Sequence, residues 1–332
     1  MILILSARKL KILEEQKFFR MEEHMTEAEL ATMWKQEIEK SLAELSELRE
    51  KLHPVDFSSD LWTIFRGAYG DIREDVAFLF CPKELLPEMV KIRRLDTEEK
   101  ENEQILFDNL CENLTHQLSF YDATYLAIPY LVLLLEKKRK EQDFKWQMQV
   151  ISEAGVILST NIPYNEYDRT PTISKDILES YDLSIEYLKE MTKEFLQQNL
   201  ERLKEEDPFD LQYFCTSILS ILGDPEMAFY LLFGSWDQCY ITCPNCNYYN
   251  ENIQIDDFHN TEQILEEIEP AESVIGKWDQ KSYEDTYLWF SNLLHILGIE
   301  EEWKIPYYYG TYTCPECGSK GILIDWMKQC EM

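Results

Sequence analysis

The sequence predicts a mainly α protein: paired helices joined by short turns, then a small β module built on four cysteines and interrupted by inserted helices. Three observations carry this. Only ten Gly and 12 Pro break a chain of 332 residues, which favours helices over a fold of many short strands. Up to about residue 237 the apolar positions follow helical spacing, and capping residues or prolines mark the ends of most runs. Beyond that point Cys243-Pro-Asn-Cys246 and Cys314-Pro-Glu-Cys317-Gly318 are flanked by short runs of Tyr, Ile and Thr, the composition of strands. The expected division is a poorly anchored extension over 1–25, a helical domain over 26–237 and a four-cysteine cap over 238–332. Met21 or Met25 can serve as the native start.

Thr26 with Glu29 forms a capping box ahead of a helix to about Leu52, which His53-Pro54 ends, because the residue before proline avoids helical geometry. Ser58-Ser59 caps a short helix through Arg66; Gly67 and Gly70 break the chain, and Asp71 starts another helix through Phe80. Lys83 to Leu95 is helical, and Thr97 caps a helix to about Leu114. Asp143 opens Phe144 to Leu158, in which Gly155 permits close packing. Asn161 to Pro171 is a polar, aromatic loop. Ser174 begins a long helical segment to about Glu206, with a possible break near Asp182. Asp210 to Leu222 follows, and Asp224-Pro225 is a well-formed helix start for the segment to Phe233.

The stretch from His116 to Leu135 is the most informative helical segment. Ala123, Ala127 and Leu131 make an i, i+4, i+8 stripe that lets a neighbouring helix come close, and Pro129 inside it predicts a kink. His116-Gln117, Tyr121-Asp-Ala-Thr124 and Ala127-Ile-Pro-Tyr-Leu131 resemble motifs of bacterial HEAT-like α-helical repeat proteins of the toxin-immunity type. The resemblance covers about residues 60 to 235. It implies an irregular α-α repeat or solenoid with a period of about 40 residues and a non-catalytic, protein-binding role. His116, Gln117, Tyr121 and Asp122 could also be imagined as an acid–base cluster, but in such helices these residues more often fix a turn by hydrogen bonds.

After the helices, Tyr240-Ile-Thr-Cys243 and Tyr248 to Asp257 read as strands around the first cysteine pair. Thr261 to Ile268 reads as a short acidic helix, and Ser282 to Leu297 as a longer one ended by Gly298, with Tyr287, Leu288, Phe290, Leu294 and Leu297 on one face. Ile305 to Thr313 reads as a strand into the second pair and Lys320 to Trp326 as the return strand. The result is a zinc-ribbon-like module whose two knuckles are separated by inserted helices that cover the end of the helical stack.

Two intervening residues in each pair let a tight turn aim both sulfurs at one ion. Cys243, Cys246, Cys314 and Cys317 together supply the four thiolates of a closed tetrahedral, structural Zn²⁺ site. Pro244 and Pro315 stiffen the turns, and Gly318 stands where such a knuckle often needs a positive φ. A catalytic zinc needs an open position, which four thiolates do not leave. A redox C-x-x-C needs a βαβ setting, absent at both pairs. His259 and His295 are the other conceivable ligands. Cys81, Cys111, Cys215, Cys239 and Cys330 read as ordinary thiols. Nine cysteines without a convincing export signal, and no run near the ~20 apolar residues of a membrane span, point to a reducing cytoplasm.

Net charge is −31, from 63 Asp+Glu against 32 Lys+Arg. No arginine follows Arg202, and from Glu205 to Tyr308 there are 21 acidic residues and three lysines. Such a surface repels phosphate backbones and anionic lipid and attracts basic partners. Phosphate-cradling loops, nucleophile elbows and H-E-x-x-H are missing from the sequence, and carboxylate clusters such as Asp256-Asp257 and Glu300-Glu-Glu302 read as solvated faces. The expectation is a non-catalytic, acidic scaffold, an immunity protein that neutralises a basic toxin domain. The alternative is a zinc-ribbon nucleic-acid- or translation-associated protein, for which Lys304, Lys320 and Lys328 are the only basic residues near the second pair.

Overall fold

The computed structural model describes residues 27–83, 86–87, 90, 101–161, 173–234, 236, 238–255, 268–277, 283, 285 and 286–329. The described chain is mainly helical, with small antiparallel sheets confined to its C-terminal part. The helices are α1 (Glu27–Ala43), α2 (Ser46–Leu52), α3 (Leu61–Ile64), α4 (Arg73–Phe78), α5 (Asn102–Thr115), α6 (Thr124–Lys140), α7 (Phe144–Ser159), α8 (Lys175–Leu203), α9 (Pro208–Leu222) and α10 (Pro225–Phe233). The C-terminal part then runs β1 (Gln238–Thr242), β2 (Tyr249–Gln254), β3 (Ile268–Glu269), α11 (Thr286–Leu297), α12 (Ile305–Tyr308), β4 (Thr311–Thr313), β5 (Lys320–Ile322) and α13 (Leu323–Met327).

Several helix starts are those the side chains dictate. Asp143 accepts from the Trp146 amide (3.2 Å), and Asp224 from the Met227 amide (3.0 Å), each satisfying a donor that the first turn leaves free. The segment before α10 begins two residues earlier than Asp210: Asp207 caps it through the Phe209 amide (2.9 Å), with Pro208 at the first helical position. The helix expected up to Leu52 is two, because the chain turns at Glu44-Leu45, and Leu45 turns into the core. α8 is unbroken at Asp182. α6 likewise runs on through Pro129.

Packing places the centre of the helical body at α7. It lies against α6, α9 and α10, while α8 lies against α6 and α9. A Cβ on Gly155 would stand 2.2 Å from the Ser217 carbonyl oxygen on α9, so the two backbones meet only because that side chain is missing. Ala123, Ala127 and Leu131 are all buried, as the stripe requires. One buried apolar cluster runs from Ile38 to Met327 without a gap at residue 237. Trp236 is part of that joint: its Nε1–H donates to Thr216 Oγ1 on α9 (2.9 Å), and its ring meets Phe290 of α11 (centroids 6.0 Å). Lys328, after α13, reaches the cap of α10 at Asp224 Oδ2 (2.5 Å).

Two expected strands are shorter than the composition suggests. Ile305 to Tyr308 is helical, with Ile305 and Tyr308 buried one turn apart and Pro306 in the first turn, where its missing N–H costs nothing. Only Thr311–Thr313 is strand. The return strand ends at Ile322, since Leu323, Ile324, Trp326 and Met327 are buried around exposed Asp325. That spacing suits a helix, not alternation. Tertiary packing overrides β propensity in both places. Ile268, expected to end a helix, starts β3. Residues 256–267, including Asp256-Asp257 and His259, lie outside the described residues, as do 1–26, Thr97, residues 162–172 (and with them all but the first residue of the loop expected over Asn161 to Pro171) and Cys330.

Candidate metal centre

Each cysteine pair occupies the tip of a hairpin. β1 and β2 pair antiparallel from Gln238↔Gln254 to Thr242↔Tyr249, with an irregularity between Cys239 and Ile241. β4 is the middle strand of β3-β4-β5 and pairs with β5 from Thr311↔Ile322 to Thr313↔Lys320. The two turns repeat one another. The Cys243 amide donates to the Tyr248 carbonyl (2.8 Å) and the Asn247 amide back to the Cys243 carbonyl (2.8 Å). In the second turn the Cys314 amide donates to the Ser319 carbonyl (2.9 Å) and the Gly318 amide back to the Cys314 carbonyl (2.9 Å). The residue after each pair is left-handed, Asn247 at φ 59° and Gly318 at φ 71°. Asn tolerates that region better than most residues and Gly adopts it freely.

The hairpins are brought together by α13, which continues directly from β5 and packs against β1. Trp326 of α13 also meets Tyr312 of β4 edge to face, at 5.4 Å. As a result the four sulfurs lie within 4.8 Å of one another. Cys243 Sγ is 3.7 Å from Cys317 Sγ, and Cys246 Sγ is 3.7 Å from Cys314 Sγ. A tetrahedral ion with Zn–S bonds of about 2.3 Å requires sulfurs about 3.8 Å apart. These are non-bonded separations, far beyond a disulfide's ~2.05 Å. Cys243 and Cys314 are buried, whereas Cys246 and Cys317 are exposed. The four cysteines expected from sequence are therefore one cluster, and it could hold a metal ion.

Donors surround the sulfurs. The backbone N–H groups of Asn245 and Cys246 serve Cys243, and those of Glu316 and Cys317 serve Cys314; Tyr248 and Ser319 amides serve the second sulfur of each pair. Two side chains add to this on one side only. Asn245 Nδ2 donates to Cys317 Sγ (3.4 Å), and Ser319 Oγ lies 3.0 Å from Cys317 Sγ and 3.2 Å from Cys243 Sγ. These donors, Asn245 foremost, lower the Cys317 thiol to about 5. At Cys243 burial pushes upward, but Ser319 and the two backbone donors outweigh it and the thiol falls. Burial raises Cys314. At Cys246 the Tyr248 amide lowers the thiol, but burial and the neighbouring sulfurs outweigh it and push it up to about 12. The arrangement thus favours the thiolate, the form that ligates metal, at Cys243 and Cys317, and the donors are of the kind that orients ligands and tunes a metal. The sequence reading did not single out Asn245 and Ser319; their contacts to Cys317 and Cys243 exist only once the two hairpins meet.

The remaining candidates lie elsewhere. His295 Nδ1 faces Glu302 (3.0 Å) and is outside the sulfur cluster. His116 Nδ1 bonds Glu112 Oε1 (2.6 Å) and Tyr69 Oη (2.8 Å), with the Tyr69 ring against it; Gln117 is exposed and Tyr121 Oη reaches only the His116 carbonyl (3.4 Å). These bonds hold the Gly67–Gly70 turn to the end of α5. Cys81, Cys111, Cys215 and Cys239 are buried. Burial pushes the Cys81 thiol up to about 12 and raises Cys111 and Cys215 as well, which makes them poor nucleophiles. Of the basic residues near the second pair, Lys304 is buried and Lys328 is committed to Asp224 and Glu226; Lys320 is exposed on β5. No described helix is long and apolar enough to cross a membrane.

Comparison of the chain with protein-family models, curated proteins and solved structures gives no match.

Proposed function

We propose that this protein is a non-catalytic, acidic binding scaffold whose C-terminal module is clasped by one structural Zn²⁺ ion on Cys243, Cys246, Cys314 and Cys317. Its partner is a basic protein, such as the toxin domain that an immunity protein neutralises, and the helical body is an irregular HEAT-like α-α stack capped by a zinc-ribbon-like module. The observation that carries the binding reading is the charge: −31 over the chain, with no arginine beyond Arg202. A field of that sign accelerates encounter with a cationic partner and makes the association salt-sensitive. The motif resemblance in 116–131 favours the immunity class.

Zinc is the ion of choice because four thiolates at near-tetrahedral separations suit its coordination, and all four positions are then filled by protein. Bound there, the ion ties the two hairpins together across 67 intervening residues. The nucleic-acid reading is disfavoured by the fate of its cations. A ribbon that grips phosphates presents Lys and Arg near its knuckles, yet Lys304 is buried and Lys328 is neutralised by two carboxylates.

The test is capture from extract of the native cell at low salt, followed by elution with rising salt and a parallel nucleic-acid titration. The reading expects a basic protein released by salt and no nucleic-acid binding at moderate salt. Retained nucleic-acid binding, or a partner whose binding ignores salt, would overturn it.

A further inference from the structure

Two close sulfur–sulfur contacts run between knuckles. Cys243 of the first pairs with Cys317 of the second, and Cys246 of the first with Cys314 of the second, each at 3.7 Å. One member of each cross-pair is exposed and the other buried. An oxidant therefore reaches one sulfur of a pair while its neighbour waits behind it.

We propose that the cluster is also an oxidation site, at which a hydroperoxide converts the Cys243–Cys317 pair to a disulfide that releases the ion yet keeps the clasp closed. The exposed Cys317 thiolate attacks a peroxide oxygen; the O–O bond breaks, hydroxide leaves and Cys317 becomes a sulfenic acid. Cys243 Sγ then attacks the Cys317 sulfur, and a second hydroxide leaves as the S–S bond forms. Two thiolates, one hydroperoxide and two protons give a disulfide and two waters (or water and an alcohol, for an alkyl hydroperoxide). The two sulfurs are oxidised and the peroxide is reduced. The ion loses two of its four ligands in the process.

This pair is favoured over Cys246–Cys314 by its surroundings. Ser319 Oγ touches both of its sulfurs and Asn245 Nδ2 holds Cys317, so the attacking and resolving atoms are already positioned by one hydroxyl. The consequence differs from that of a bond within a knuckle. A Cys314–Cys317 or Cys243–Cys246 bond would close a turn that is already closed and let the hairpins part. A Cys243–Cys317 bond joins the same two hairpins that the ion joins.

The inference rests on the zinc reading above, and its test separates the two. Purified protein is first assayed for zinc; absence of tight zinc binding sinks the metal reading by itself. The zinc-loaded protein is then treated with hydrogen peroxide, zinc release is followed with a chromogenic chelator, and thiol-blocked digests are mapped by mass spectrometry. The expected result is loss of the full equivalent of zinc, a Cys243–Cys317 cross-linked peptide, and a Tm above that of the reduced, zinc-stripped protein. In Ser319→Ala the Cys243–Cys317 cross-link should form several-fold more slowly at equal peroxide. Zinc retained under excess peroxide, bonds only within knuckles or between chains, or a Tm no higher than that of the reduced stripped protein would each overturn the proposal.

Discussion

Replacing Cys314 by serine tests the clasp directly. Cys314 is buried at the base of the second knuckle, and a neutral hydroxyl there is a poor substitute for a thiolate ligand. The size of the effect follows from chain length. An ion joining Cys246 to Cys314 closes a segment of 67 residues. The chain-entropy relation used for covalent cross-links puts such a closure at about 4 kcal/mol of stability. For a chain of this size a loss of that order corresponds to a fall in Tm of roughly 6 °C. The same fall should follow removal of the ion from the wild type by a strong chelator, and the chelator should then do nothing further to Cys314→Ser. Calorimetry on the four combinations of protein and chelator is the assay. If Cys314→Ser melts within a degree or so of the wild type, or if the chelator shifts both proteins equally, the ion does not tie the hairpins and the reasoning fails.

Three further substitutions probe the scaffold. Gly155→Ala drives a Cβ into the Ser217 carbonyl and should cost about 3 kcal/mol through overpacking, read as a lower urea midpoint; Gly318→Ala, with no atom near its Cβ but φ at 71°, should cost only about 1 kcal/mol. Glu103→Gln strips buried Lys138 of the nearer of its two carboxylates (2.5 Å), leaving Glu141 at 3.4 Å, and should cost about 3 kcal/mol at neutral pH in urea unfolding. Burial tends to raise the Glu103 carboxyl, but Lys138 and Lys83 hold it below its ordinary 4.5. Its contribution is thus present above pH 4.5 and lost as pH falls through the lower folded value, so the gap between wild type and Glu103→Gln should narrow on acidification. Asp224→Ala removes the cap of α10 and the partner of Lys328 together and should cost about 1–2 kcal/mol, measured by the same urea titration.

Sequence reasoning succeeded where the signal is local. Asp143 and Asp224 cap the helices they were expected to cap, because a short acceptor before an apolar run acts on its own backbone. The C-x-x-C turns are legible for the same reason, and so is the left-handed Gly318 that closes the second. It failed where a partner distant in sequence decides. Ile305 to Tyr308 and Leu323 to Met327 are rich in strand formers, yet they are helical because the core claims their side chains one turn apart. No window of residues around either segment contains that information.

The candidate site divides along the same line. Its ligands are local pairs, so they were readable; its asymmetry is not, because Asn245 belongs to one knuckle and the sulfur it serves to the other. The hairpins meet through α13, whose identity as a helix was itself missed. The charge adds a further link. A surface of net −31 repels itself, and that repulsion falls on whichever contacts hold the C-terminal module to the helical body, among them Trp236 with Phe290 and Lys328 with Asp224. The Lys328 contact is an ion pair, a kind of bond that salt screens, while thiolate–zinc bonds are not weakened in that way. Added salt therefore has two opposed effects on the zinc-loaded protein, relieving self-repulsion and weakening that ion pair. In the stripped protein the ion pair carries more of the attachment, so moderate salt should raise Tm less there than in the loaded form. Parallel calorimetry at low and moderate salt compares the two, and an equal or larger rise in the stripped protein would show that the clasp does not share load with this contact.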